Sequence, residues 1–170
     1  MISNSNGLAM SYTDPLVDWS VHKRSVLVPF DFSEASRKAL EVARSFVPDL
    51  GEPTGGTISV IHVITPPPLT APGRLLRGPF DEERAIAQGF EHLRQALADA
   101  DARQFEPHVR VASDAAEEVV AFAEREQTEL IVISSHARRG FDRWLIGSTA
   151  ERVVRLAPCP VLVLRGPKPQ

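Results

Sequence analysis

The stretch Leu130 to Leu164 reads LIVISSHARRGFDRWLIGSTAERVVRLAPCPVLVL. It starts in the apolar run Glu129 to Ile133 (ELIVI), which reads as a strand. The loop SSHARRGFDRWLIGS follows, then a helical segment from Thr149 to Leu156 with Ala150, Val153 and Val154 apolar. Pro160 to Leu164 (PVLVL) reads as a second strand. Strand, helix and strand in succession is the unit of a parallel sheet, because parallel neighbours need a crossover between them.

The same alternation runs upstream. Ser25 to Phe30 is a short apolar run that ends in the turn Asp31-Phe32-Ser33. A helical stretch follows, with Ala35, Ala39, Ala43 and Phe46 on roughly one stripe. Pro48 and Gly51 are expected to end it. Thr57 to Ile64 (TISVIHVI) is β-branched and nearly all apolar, as a strand covered on both faces would be. Pro66 to Pro79 holds five prolines and two glycines and reads as an irregular connector. From about Phe80 a second helix carries Ile86, Phe90, Leu93 and Leu97 inward, with Asp81, Glu82 and Glu83 at its positive end.

Phe105 to Val111 reads as a further strand. The helix behind it starts at Ser113 or Asp114, since Asp114 and Glu117 have capping-box spacing. Its inward face would use Ala116, Val119, Val120 and Ala123. The order β-α-β-α-β-α-β-α-β predicts an α/β fold with a single-domain open five-stranded parallel sheet and helices on both faces. Ligands of such sheets bind beyond the carboxyl ends of the strands, where the winding reverses. The loops after Phe30, Ile64, Val111 and Ile133 are therefore the ones to inspect.

Composition narrows the classes. The chain has 170 residues, enough for one domain. It is 43% hydrophobic and 24% charged, which argues against wholesale disorder. A net charge of −3 gives little electrostatic basis for nucleic-acid binding. One cysteine, Cys159, rules out an intramolecular disulfide framework and suits a reducing, cytoplasmic setting. The start of the chain lacks a signal-peptide pattern, and no apolar run reaches the roughly 20 residues needed to span a bilayer. Residues 1–23 read as an extension that Trp19 and Val21 could anchor, residues 24–165 as the domain, and 166–170 as a frayed tail.

Two segments carry a family resemblance. Val26 to Val42 (VLVPFDFSEASRKALEV) and Leu130 to Leu164 resemble the opening and closing parts of the universal stress protein family, and IHVI at Ile61 to Ile64 also fits. The resemblance implies strand order 3-2-1-4-5 in an adenine nucleotide alpha-hydrolase-like fold. It also implies a cytoplasmic stress-response or signalling protein. A homodimer through the last strand (Val161, Leu162, Val163 and Leu164) is part of that expectation. Nucleotide-binding members carry a Gly-x2-Gly-x9-Gly-Ser/Thr loop. Here Ser134 and Ala137 occupy the first two glycine positions, Arg138 to Ile146 fill the spacer, and Gly147-Ser148 complete it.

Spacing is kept while two of the three glycines are lost. If Ser134 had to adopt a left-handed backbone, the strain would cost roughly 1–3 kcal/mol. That weakens binding roughly five- to over a hundredfold; an ordinary extended conformation would cost little. Carried over residue by residue, the resemblance puts Pro29 and Asp31 at the end of the first strand, with Asp31 accepting from an adenine amine or ribose hydroxyl. Val63 would flank the base, and Ile133 and Ser134 would lie beneath ribose and phosphates. Gly147, Ser148, Thr149 and Ala150 would present N–H groups and hydroxyls at a helix start. Arg138 or Arg139 would add positive charge. The ligand would be ATP or another adenine nucleotide, with Mg only alongside it.

Plainer readings stand beside these. Ser148 with Glu151 also has capping-box spacing, and Asp31 or Ser33 could simply cap the first helix. Arg74 and Arg77 suit a solvated connector or, as the alternative, a lid. Cys159 reads as structural, His62 as a residue tucked against the core, and His136 as the one histidine in the site loop. His22, His62, His92, His108 and His136 show no metal-ligand spacing. No GxSxG, HExxH or GK[ST] phosphate loop supports a dedicated hydrolase, so Ser134 and Ser135 beside His136 are a weak nucleophile-base pairing. A protein-interaction module with a vestigial site is the main alternative to a nucleotide-responsive protein.

Overall fold

A computed structural model describes residues 24–47, 55–67, 79–98, 105–135 and 147–165. Along them run β1 (Ser25–Pro29), α1 (Glu34–Arg44), β2 (Thr57–Ile64), α2 (Glu82–Leu97) and β3 (Phe105–Val111). α3 (Ala115–Arg125), β4 (Leu130–Ser135), α4 (Ser148–Leu156) and β5 (Val161–Arg165) complete the series. All strand pairs are parallel, in the order β3-β2-β1-β4-β5. Trp19, Val21, Arg74, Arg77, His136, Ala137, Arg138 and Arg139 lie outside the described residues.

The central strands explain why their sequences are apolar without alternation. Successive side chains point to opposite faces, and here each face meets a helical layer. Val26 and Val28 of β1 join Ala39, Leu40 and Ala43 of α1 in one core cluster, which also takes in Leu93 and Leu97 of α2. Leu27, between those two valines, joins Val119, Phe122 and Ala123 of α3 and Ala150 and Val153 of α4 in a second cluster. Ile131 and Ile133 of β4 face that second cluster, and Leu130 and Val132 the first. Phe122 is fully buried, worth about 1.5–3 kcal/mol for such a side chain.

Helix ends follow local chemistry. Ser33 caps α1 by accepting the Ser36 N–H, Asp81 caps α2 through the Arg84 N–H, and Asp114 caps α3 through the Ala116 and Glu117 N–H groups. Each supplies an acceptor for a donor that the helix itself cannot satisfy.

Several boundaries differ from the sequence expectation. α1 ends at Arg44, ahead of Pro48: the Ser45 N–H turns back to the Val42 carbonyl at 3.1 Å, and the Ser45 hydroxyl donates to the same oxygen at 2.7 Å. α2 begins at Glu82, with Asp81 as its cap. On α3, Phe122 takes the deep position, while Val120 is only partly buried. β4 continues two residues beyond Ile133, because Ser134 and Ser135 stay in register with Leu164 and Arg165 of β5.

Candidate functional site

The chain winds from β1 to β2 to β3 on one side, then returns to place β4 on the other side of β1. The β1–β4 boundary is thus the switch point of the sheet. The β1–β2 ladder covers all five residues of β1, from Ser25↔Thr57 to Pro29↔Ile61. The β1–β4 ladder covers only Val26↔Leu130 and Leu27↔Ile131. Beyond it, Val28–Pro29 and Val132–Ser135 continue toward the carboxyl end of the sheet. Doubly wound sheets bind their ligands at this point, because neighbouring connections leave in opposite directions.

Four of the residues expected at the site line this end of the sheet. Ile133 and Ala150 are buried in the second core cluster, and Val63 is half-buried against it. Pro29, the last residue of β1, is half-buried. Asp31 lies just past it and is exposed, with Oδ1 accepting the Ser33 N–H at 3.1 Å. Ser33, rather than Asp31, is the α1 cap. A carboxylate accepts several hydrogen bonds at once, so this turn contact is compatible with binding a ligand.

The start of α4 contradicts one expectation. Its N-cap is Gly147, at φ −56° and ψ 145°, and Ser148 is already the first helical residue. Ser148 therefore forms no capping box with Glu151, because a cap must sit outside helical geometry. Among the described residues no side chain caps this helix, unlike α1, α2 and α3. Ser148 and Thr149 are exposed, and Glu151 is the first residue whose N–H bonds back to the Gly147 carbonyl, at 2.9 Å. The leading N–H groups, with the positive end of the helix dipole, make a place suited to an anion.

Ser134 settles the question that its glycine position raised. It lies in β4, half-buried and paired in register with Leu164, and is not among the non-glycine residues with positive φ. The backbone there needs no glycine. Ser135 is buried and its hydroxyl donates to the Leu164 carbonyl at 3.4 Å, so its place is structural.

Sequence reading missed two features around the crevice. Phe32 has φ 66°, a left-handed conformation unusual for a bulky residue. Its ring packs edge-on against Phe30 and His62, with centroids 5.3 and 4.6 Å away, while His62 Nδ1–H donates to the Phe30 carbonyl at 2.9 Å. The turn Asp31-Phe32-Ser33 was visible in sequence, but its handedness was not. The second is a bridge from α4 to α3, in which Arg152 contacts Asp114 and Glu117. A capping signal marked Asp114; nothing local marked its distant partner.

Among the described residues, no group of three or more His, Cys, Asp or Glu could hold a metal ion. No described helix is long and apolar enough to cross a membrane. Burial pushes the Cys159 thiol up to about 11, against a smaller lowering by its contact with the Ile131 backbone. The thiol is therefore protonated at neutral pH, and the nucleophile is the thiolate.

The five-stranded parallel sheet, its order and its four helices are those of the adenine nucleotide alpha-hydrolase-like fold. Residues 23–165 match the family model described as the Universal stress protein family, and the chain belongs to that family. Universal stress protein MJ0531 of Methanocaldococcus jannaschii is 30% identical over 152 residues, covering 85% of this chain and 84% of that protein. A Thermus aquaticus universal stress protein is 28% identical over 145 residues, covering 84% and 98%. Among solved structures, UspA from Lactobacillus plantarum superposes with a TM-score of 0.60 at 21% identity, covering 86% of this chain and all of that one (100%). A universal stress protein in complex with cAMP gives 0.57 at 19% identity, covering 86% and 98%.

Proposed function

We propose that this chain binds an adenine nucleotide at the β1–β4 crevice and acts as a nucleotide-responsive stress or signalling protein. The observation that carries the reading is the start of α4, which has no side-chain cap among the described residues and follows the strand that parts from β1. Phosphates would meet the N–H groups and hydroxyls of Ser148 and Thr149 there. Asp31 would take a ribose hydroxyl or the adenine amine, and Val63, Ile133 and Pro29 would border the base and sugar. Ala137 and Arg138, outside the described residues, would add the loop contacts that the family resemblance implies. The extended backbone of Ser134 supports the reading, because that substitution brings no left-handed strain. A fold neighbour in complex with cAMP is consistent with a nucleotide ligand. Magnesium would enter with the nucleotide.

Calorimetric titration of nucleotide-stripped protein with ATP, ADP and AMP, with and without magnesium, tests this. Micromolar binding that is lost in an Asp31→Ala, Gly147→Val double variant is the expected result. No heat up to millimolar nucleotide overturns it.

A second reading concerns the edge of the sheet. β5 is an edge strand, and Val161, Leu162, Val163 and Leu164 are all only partly buried in the single chain. An apolar open edge invites pairing with another chain. A homodimer through β5 is the proposed assembly, compatible with either a nucleotide-responsive protein or a module that acts on protein partners. Light scattering on a Leu162→Lys, Leu164→Lys variant tests it; a native monomer at high micromolar concentration rejects it.

A further inference from the structure

Asp114 does two things with one carboxylate. Oδ1 accepts the Ala116 and Glu117 N–H groups at 2.9 and 3.0 Å and so caps α3. Oδ2 accepts from Arg152 Nη1 on α4. The other arm of the same guanidinium, Nη2, donates to Glu117 Oε1 at 2.7 Å. One planar fork thus spans two carboxylates in the first turn of α3, a geometry that only arginine provides.

The place of this bridge matters more than its strength. Arg152 stands four residues after Ser148, so the two share one side of α4. Ala150 and Val153 seat the neighbouring side of the helix in the core. That apolar seat sets the distance of α4 from the sheet but tolerates rotation and sliding, because hydrophobic contact is not directional. The Arg152 fork removes that freedom near the end where the leading N–H groups of α4 lie. It also neutralises one of two carboxylates that would otherwise repel an incoming phosphate. As a plain stabiliser the bridge is weak: the Arg152 and Asp114 side chains are 35% and 30% exposed, and exposed pairs contribute about 0–1 kcal/mol.

We propose that Asp114 and Arg152 are positioning residues for the anion-binding start of α4, so that affinity for the phosphate part of a ligand depends on the pair. The inference rests on the nucleotide reading above and deepens it. The Glu117 N–H first, and Arg152 after it, hold the Asp114 carboxyl below its ordinary value. The Asp114 carboxylate is therefore charged throughout the neutral range.

The test compares ADP with adenosine, by calorimetry, on the native chain and on Arg152→Gln, Arg152→Lys and Asp114→Asn. Asparagine keeps the capping acceptor but loses the charge. Arg152→Gln and Asp114→Asn are each expected to weaken ADP binding by about three- to fivefold, the upper part of the range for an exposed ion pair. Adenosine should bind all four proteins within about twofold, a difference well under 1 kcal/mol. Arg152→Lys, which keeps the charge without the fork, should fall between. Thermal melts of each variant report folding separately. Equal ADP affinity in all four proteins overturns the inference and leaves the nucleotide reading intact. Tighter ADP binding by Asp114→Asn overturns it too, since charge alone would then govern. Parallel losses for ADP and adenosine assign the pair to stability only and overturn it. A native chain that binds neither ligand overturns the nucleotide reading and this inference with it.

Discussion

The ring of Phe32 meets that of His62 edge to face, their centroids 4.6 Å apart, on a backbone held at φ 66°. Left-handed geometry costs an L-residue with a Cβ roughly 1–2 kcal/mol. Contacts with Phe30, His62 and the first core cluster offset that cost. Phe32→Ala loses the ring and keeps the strain, whereas Phe32→Gly loses the ring and the strain together. Chemical denaturation is expected to find both variants less stable than the native chain, with the glycine variant ahead of the alanine one by about 1 kcal/mol. Equal stability would show that the turn relaxes when the ring goes.

Ser134 offers a test on the binding side. Because its backbone is extended, Ser134→Gly should relieve no strain. Nucleotide affinity is expected to change less than about threefold, below 1 kcal/mol. Stability should fall by about 0.5–1 kcal/mol, the cost of glycine in a strand. A tenfold gain in affinity would mean that the missing glycine had limited binding through close approach to the ligand.

His108 gives the fold a pH dependence. Its ring packs at a tilt against Phe122, with centroids 4.7 Å apart, and its buried Nε2 has no hydrogen-bond partner among the described residues; Glu106 Oε2 stands 4.0 Å away. Burial lowers its pKa from the ordinary 6.5; Arg110 acts in the same sense, against smaller opposing effects of Glu106 and Glu126. Above pH 6.5 the imidazole is neutral in folded and unfolded chains alike. Below 6.5 the unfolded chain takes up the proton first, so stability falls until the pH passes the folded value. Melting temperatures at pH 7.5 and 5.5 should separate in the native chain and converge in His108→Leu. An unchanged gap in the variant would assign the effect to other groups.

Gly89 lets α2 pack tightly on β2 and β3. A Cβ there would lie 2.9 Å from Val109 Cγ1 and 3.2 Å from Ile64 Cδ1. Alanine would gain about 1 kcal/mol of helix propensity. Overpacking against the fully buried Val109 costs about 1–3 kcal/mol, so Gly89→Ala is expected to be neutral to about 2 kcal/mol destabilising. Val109→Ala in the same chain should recover part of the loss, as neighbouring sites do not add. Full additivity would place the strain elsewhere.

Much of the architecture was legible because it is local. TISVIHVI at Thr57 to Ile64 and FEPHVRV at Phe105 to Val111 were read with the bounds the structure has. The spacing of Ile86, Phe90, Leu93 and Leu97 matched the face that α2 turns to the core, with Leu93 and Leu97 buried and Ile86 and Phe90 packed beside them. Errors fell at ends, where one residue decides. Ser148 had the sequence of a cap, yet Gly147 holds that position, and Ser134 and Ser135 looked like loop but extend β4. For β4 the deciding partner is distant in sequence, as Leu164 is for Ser134.

By itself, the sequence determined the alternation of strands and helices, the apolar faces and the family, since periodicity, caps and motif spacing all act over a few residues. Tertiary structure alone decided that β1 and β4 pair for only two residues before parting. It alone gave Phe32 its left-handed backbone and brought Arg152 onto Asp114, 38 residues away. These depend on how packed layers fit one another, and no short window of sequence carries that information.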